Sequence, residues 1–237
     1  MSATAMAGPI TGAATPRFKA NVAGILYFAN MLAFVPAAYV HSRFVIAAGT
    51  AAAASNTLVI APLYRFGLTF DLIAVASGIA VTALFFDLFK PVSRRLSLFA
   101  AYVNLMGCAI TAASCILHLV PLAILRGADY FPIFAAKLEA LALLFLKLRV
   151  QTAAMGIVFA GVYCLLIGFL IFRSGFLPRP LGVLVAIAGL GWLTYLSPML
   201  AHELAPFNSF VSGLLGEGSL MLWLTIKGVN PKAVSQT

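Results

Sequence analysis

Glu217 is the residue in this chain whose type and position point most directly to chemistry. It lies midway between Pro206 and Lys227 in an apolar run, about 16 Å along a helix from either. A charged group at that depth in hydrocarbon is costly, so it calls for a reason. Gly213, Gly216 and Gly218 around it let neighbouring helices come close. It is suited to carrying protons or to binding a cation or a polar headgroup; the competing reading is a structural hydrogen bond to Asn104, Thr111 or Ser114. Asp71 and His118 form a second pair. Asp71 is six residues inside Arg65 and His118 eight inside Arg126, so both sit roughly 9–12 Å below the same boundary. Together they would make a proton relay or the polar end of a substrate cavity. The plainer alternatives are a hydrogen-bonded pair or an interfacial contact of Asp71 with Arg65.

The element that must position these groups is the uncharged stretch 96–125, fenced by Arg94, Arg95 and Arg126. As a helix it is roughly 45 Å long, more than a hydrocarbon core of ~30 Å requires. Asn104, Gly107, Cys108, Thr111, Ser114, Cys115 and His118 recur at i, i+3, i+4 and i+7, one stripe of a helix. Polar atoms in lipid seek other helices or water, so this stripe is expected to face inward.

Composition sets the environment. With 63% hydrophobic and 9% charged residues and a mean hydropathy of +1.07, the chain lies far outside the soluble globular range. The +9 formal charge is spread singly or in pairs between apolar runs, the pattern of topology signals rather than of a nucleic-acid surface. Three cysteines provide no disulfide framework, and Cys108 and Cys115 are two turns apart on one helix, roughly 10 Å by the helical rise.

The expected fold is all-α: a polytopic membrane protein with six transmembrane helices in one bundle. The spans are read at about 20–40, 65–89, 96–125, 151–172, 181–201 and 207–226, within a single domain 17–229. Residues 1–16 are read as a disordered tail and 230–237 as a polar one. The basic flank at Arg17 and Lys19 resembles a signal peptide, but the run behind it is long enough to span, so a retained helix is expected. Short interfacial helices are expected in the two long outer connections. One is Ala-rich, around 47–55. The other has Phe134, Leu138, Leu141, Phe145 and Leu148 on one face, with Lys137, Lys147 and Arg149 as contacts to anionic lipid. A lid on the bundle, or an extension of the fourth span, fits that second stretch equally well.

Six spans put both termini on one side. With the N-terminus inside, that side holds Arg17, Lys19, Lys90, Arg94, Arg95, Arg173, Arg179, Lys227 and Lys232. The other holds Arg43, Arg65, Arg126, Lys137, Lys147 and Arg149, so the positive-inside rule favours N-in and C-in. Asp87, three residues before Lys90, is read as an interfacial ion pair. Trp192, Trp223, Tyr64 and Tyr130 are read as interface anchors or packing residues.

Several stretches resemble a bacterial membrane family, the domain of unknown function 4386. They are Gly24-Ile25-Leu26-Tyr27, Arg65-Phe66-Gly67 leading to Asp71, and Arg173-Ser174-Gly175-Phe176-Leu177-Pro178-Arg179 with Leu181-Gly182-Val183-Leu184. Gly216-Glu217, Leu222-Trp223-Leu224 and Lys227-Gly228-Val229 complete the set. The resemblance spans about 17–229 and implies a bacterial inner-membrane protein with no known activity, so it transfers no catalytic residue. The family pattern carries an acidic residue and a histidine near the start of the fourth span; here that stretch reads Lys147-Leu148-Arg149.

No HExxH, His-rich box, CxxC, Walker loop, GxSxG or strand-borne GxGxxG is present, and no cofactor or metal is expected. His41, His118 and His202 lack metal-ligand spacing. The reading is a membrane protein that transports or binds a small molecule or lipid, with membrane lipids as its partners and no nucleic acid. A polar interior would be built on Glu217, Asp71 and His118, with Asn104, Thr111 and Ser114 beside them. An integral membrane enzyme acting on a lipid or isoprenoid is one alternative; a scaffold subunit is another. The enzyme reading is the less favoured because no catalytic motif is recognisable.

Overall fold

The computed structural model describes residues 15–48, 61–128, 133 and 135–230. Every element among them is helical. Helix α1 is Pro16–Ala48, α2 Ala61–Phe89, α3 Arg94–Ala128, α4 Ala135–Ser174 and α5 Arg179–Leu193. A 3₁₀ turn, Thr194–Leu196, leads to the short α6, Pro198–Glu203, and then to α7, Ala205–Ile226. Within α7 the segment Asn208–Glu217 is π-helical and Gly218–Ile226 is α-helical. Successive long helices pack on one another, α5 packs on the π segment, and the end of α7 returns to α1. The outward faces carry large apolar side chains such as Leu72, Phe99, Tyr102, Ile116 and Phe169.

Five helices are long and apolar enough to cross a membrane: Arg65–Phe89, Arg94–Ile124, Ala140–Ser174, Arg179–Leu196 and Ala205–Ile226. Six were expected. The span read at 20–40 lies within α1, a helix of 33 residues with Pro36 inside it, which is not one of the five.

The structure decides between the alternatives for one stretch and corrects the bounds of another. The amphipathic stretch before the fourth span is not a separate interfacial helix. From Ala135 it runs without a break into a single helix of 40 residues, α4. No proline or glycine interrupts the chain before Gly156, so nothing ends the helix at the boundary. The Ala-rich surface helix expected around 47–55 lies outside the described residues, except that residues 47 and 48 close α1. The fifth span, expected to run to 201, ends as an α-helix at Leu193. Ser197 is extended (φ −115°, ψ 114°) because a residue preceding proline is pushed out of the α region, and Pro198 then opens α6.

Backbone contact fixes the α4–α5 pair. A Cβ on Gly168 would lie 2.6 Å from the carbonyl of Gly182, and a Cβ on Gly189 2.7 Å from that of Gly161. Glycines seven apart on each helix therefore meet two by two, the small-residue packing that replaces hydrophobic burial in lipid. The main core lies toward the basic end. There Phe85, Phe89, Leu170, Ile171, Val185, Leu220 and Leu224 are all buried, and Phe89 stacks on Phe176 at 5.7 Å between ring centroids. At that end Asp87 pairs with Lys90 at 2.8 Å, and also with Lys19 of α1 at 2.6 Å.

Candidate functional site

Glu217 closes the π segment of α7, and three other helices supply donors to it. The hydroxyl of Tyr27, on α1, donates to Oε2 at 2.6 Å. The indole N–H of Trp192, at the end of α5, and the thiol of Cys164, on α4 at 3.5 Å, both donate to Oε1. No lysine, arginine or histidine is among these described partners. Asn104, Thr111 and Ser114 do not serve Glu217. Asn104 Nδ2 donates to Thr82 Oγ1 on α2 at 2.6 Å, while Thr111 and Ser114 bond carbonyls of their own helix. Trp192, read from sequence as an anchor or packing residue, is thus a ligand of the buried acid, and Tyr27 and Cys164 join it.

The π-helix explains what else shares this face. Nine residues of α-helix are two and a half turns, which would put Asn208 and Glu217 on opposite sides. A turn closed by bonds five residues apart, as between Gly218 N–H and Gly213 O, is wider, and nine residues make about two turns. Asn208, Ser212 and Glu217 consequently line up toward α5. Asn208 and Ser212 are fully buried there, and Gly191 makes room for them: a Cβ on it would strike Ser212 Oγ and come within 3.1 Å of Asn208 Oδ1. Asn208 Nδ2 donates to Thr194 Oγ1 at 2.8 Å, which itself donates to Gly191 O at 2.7 Å. Asn208 Oδ1, Ser212 Oγ and Tyr163 Oη are buried without a hydrogen-bond partner among the described residues. Buried polar atoms of this kind are ordinarily satisfied by a protein group or an ordered water.

Asp71 and His118 meet at a separate place. His118 Nδ1 is 3.5 Å from Asp71 Oδ2, and the imidazole is fully buried. The third member is Arg149, whose Nη2 is 3.2 Å from the same oxygen. Arg149 was expected to touch lipid headgroups; it is 5% exposed instead, because the unbroken α4 carries it below the boundary to the depth of Asp71. Lys137 and Lys147, the other two expected lipid contacts, are exposed. Among the described contacts, those of Glu217 (Tyr27, Cys164, Trp192) and those of Asp71 (His118, Arg149) share no residue, so the three acids and bases read from sequence fall in two groups. Among the described residues no group of three His, Cys, Asp or Glu side chains is arranged to hold a metal ion.

Comparison with known proteins finds a family but no assigned activity. Residues 22–228 match the family model described as a domain of unknown function, DUF4386. An uncharacterised protein of Archaeoglobus fulgidus is 34% identical over 74 residues, 31% of this chain and 44% of that protein. The chain thus spans less than half of that relative. No solved structure matches. With the family model covering nearly all of the helical domain, the chain belongs to the DUF4386 family.

Proposed function

We propose that this protein is a proton-coupled membrane transporter of a small polar solute and that Glu217 is the group that takes up and releases the proton. It would cross the inner membrane of a bacterial cell six times, α1 supplying the sixth crossing, with both termini in the cytoplasm. The distribution of basic residues supports that orientation.

One observation carries the reading: the partners of Glu217 satisfy it in both protonation states. Trp192 can only donate, so Oε1 is an acceptor in either state. The Tyr27 hydroxyl can donate to a carboxylate or accept from a carboxylic acid, so a proton can reside on Oε2 without breaking the 2.6 Å contact. A fixed cation would hold the group in one state, and none is among its described partners. Asp71 is the contrast, since its Oδ2 faces a guanidinium and an imidazole. That arrangement supports a structural ion pair and weakens the lipid-enzyme reading, which needs the Asp71–His118 pair free for acid–base work. Ser212 and Asn208 extend the polar face of Glu217 by about two helical turns along α7.

Reconstituted proteoliposomes with an imposed pH gradient, offered a panel of small polar solutes, test the proposal. Gradient-driven accumulation of a solute that is abolished by Glu217→Gln supports it. Absence of gradient-driven uptake for every solute, or uptake unchanged in Glu217→Gln, overturns it.

A further inference from the structure

At the basic end, α7 ends at Ile226, and Gly228, with a φ of +66°, turns the chain back. The N–H groups of Lys227 and Gly228 both donate to Trp223 O, at 2.8 and 3.0 Å. This turn buries Val229 in the core and leaves an open pocket of about 340 Å³ bounded by Arg17, Phe176, Trp223 and Lys227. Gly228 is fitted to its place: a Cβ there would lie 2.7 Å from Asn21 Oδ1 and 3.1 Å from Arg17 Cγ. Lys227 Nζ rests over the Trp223 ring, 4.3 Å from its centroid, a cation–π contact that places the ammonium beside the pocket.

None of the described lining residues is acidic. Asp87, the acid described at this end, is already engaged by Lys19 and Lys90. Arg17 and Lys227 therefore bring two positive charges to one concave surface, beside the Phe176 and Trp223 rings and with no acidic side chain among the described lining residues. A guanidinium matches a phosphate with two parallel hydrogen bonds, and the ammonium adds a second, less directional charge. The pocket is level with the end of a membrane-crossing helix, where the phosphates of lipid headgroups lie. We infer that the Arg17–Lys227 pocket is a binding site for a phosphate-bearing anion, either the headgroup of an anionic phospholipid or a free phosphate.

The test uses the full-length protein in nanodiscs and in uncharged detergent. Phosphatidylglycerol and phosphatidylcholine are titrated and read by native mass spectrometry, and inorganic phosphate is titrated calorimetrically. The double variant Arg17→Gln/Lys227→Gln is compared with Arg94→Gln/Arg95→Gln, which removes equal charge at the same end but outside the pocket. A loss of about tenfold or more in phosphatidylglycerol affinity is expected for the pocket variant only, with phosphatidylcholine indifferent. Saturable binding of inorganic phosphate, lost in the same variant, with no preference between the lipids, would support the site with a free anion as its ligand. Arg17→Lys/Lys227→Arg should retain binding, which guards against misfolding as the cause of loss. Equal losses in the two charge-removing variants, or no loss in either, would overturn the inference.

Discussion

Replacing Arg149 with leucine should expose how the interior of this protein handles charge. The guanidinium lies 3.2 Å from Asp71 Oδ2, and their side chains are 6% and 16% exposed. Removing one member of a buried pair leaves the other charge desolvated and unneutralised, typically at a cost of about 3–5 kcal/mol. His118 stays 3.5 Å from the same carboxylate, and Asp71 retains some exposure, so the lower end applies. Arg149→Leu is expected to lower stability by about 3 kcal/mol, and Asp71→Asn by a similar amount. Because each single change takes a neutralising contact from the other partner, the double variant should lie within about 1 kcal/mol of the parent, a coupling well above the ~0.5 kcal/mol scatter of independent sites. Unfolding by denaturing detergent, followed by circular dichroism in mixed micelles, supplies the four stabilities. If Arg149→Leu loses less than about 1 kcal/mol, or the two losses simply add, the pair is not the buried neutralising contact described above.

Other perturbations separate the parts of the structure. Tyr27→Phe removes one of the donors to Glu217 and should lower stability by about 1 kcal/mol, measured in the same unfolding assay, since interhelical hydrogen bonds in membranes are worth ~0.6–1.7 kcal/mol. Gly168→Ala drives a Cβ to 2.6 Å from the backbone of Gly182, so it should cost about 1–3 kcal/mol and reduce the folded yield in gel filtration. Lys19→Gln touches a pair whose side chains are 33% and 32% exposed; its effect on stability should stay below about 1 kcal/mol and shrink further in high salt.

The limits of sequence reasoning follow from what apolar patterning encodes. Long uncharged runs announced most of the crossing helices, and Glu217 stood out because a lone acid in such a run is conspicuous. Its partners were not legible. Tyr27, Cys164 and Trp192 are residue types that pack or anchor in most membrane helices, and only the fold brings three such residues to one carboxylate. The π-helical segment left no trace either, because hydropathy says which residues are apolar and not whether a carbonyl bonds four or five residues ahead. Yet that choice is what aligns Asn208 and Ser212 with Glu217. Arg149 was misassigned for a related reason: beside Lys147 it reads as part of an interfacial basic face, and its depth became evident only with α4 continuous from Ala135. An acid at the depth of Asp71 needs a cation, and asking which basic residue reaches that level would have pointed to Arg149.

The central claim, that Glu217 accepts and releases a proton inside the apolar domain, is tested most directly by infrared difference spectroscopy of the reconstituted protein across a pH titration. A carboxylic C=O band should appear as pH falls, shift on deuteration, change position in Tyr27→Phe through loss of the hydrogen bond to Oε2, and disappear in Glu217→Gln. A titration spectrum identical in the parent and in Glu217→Gln would mean that this carboxyl group does not exchange its proton, and the account of the site would be wrong.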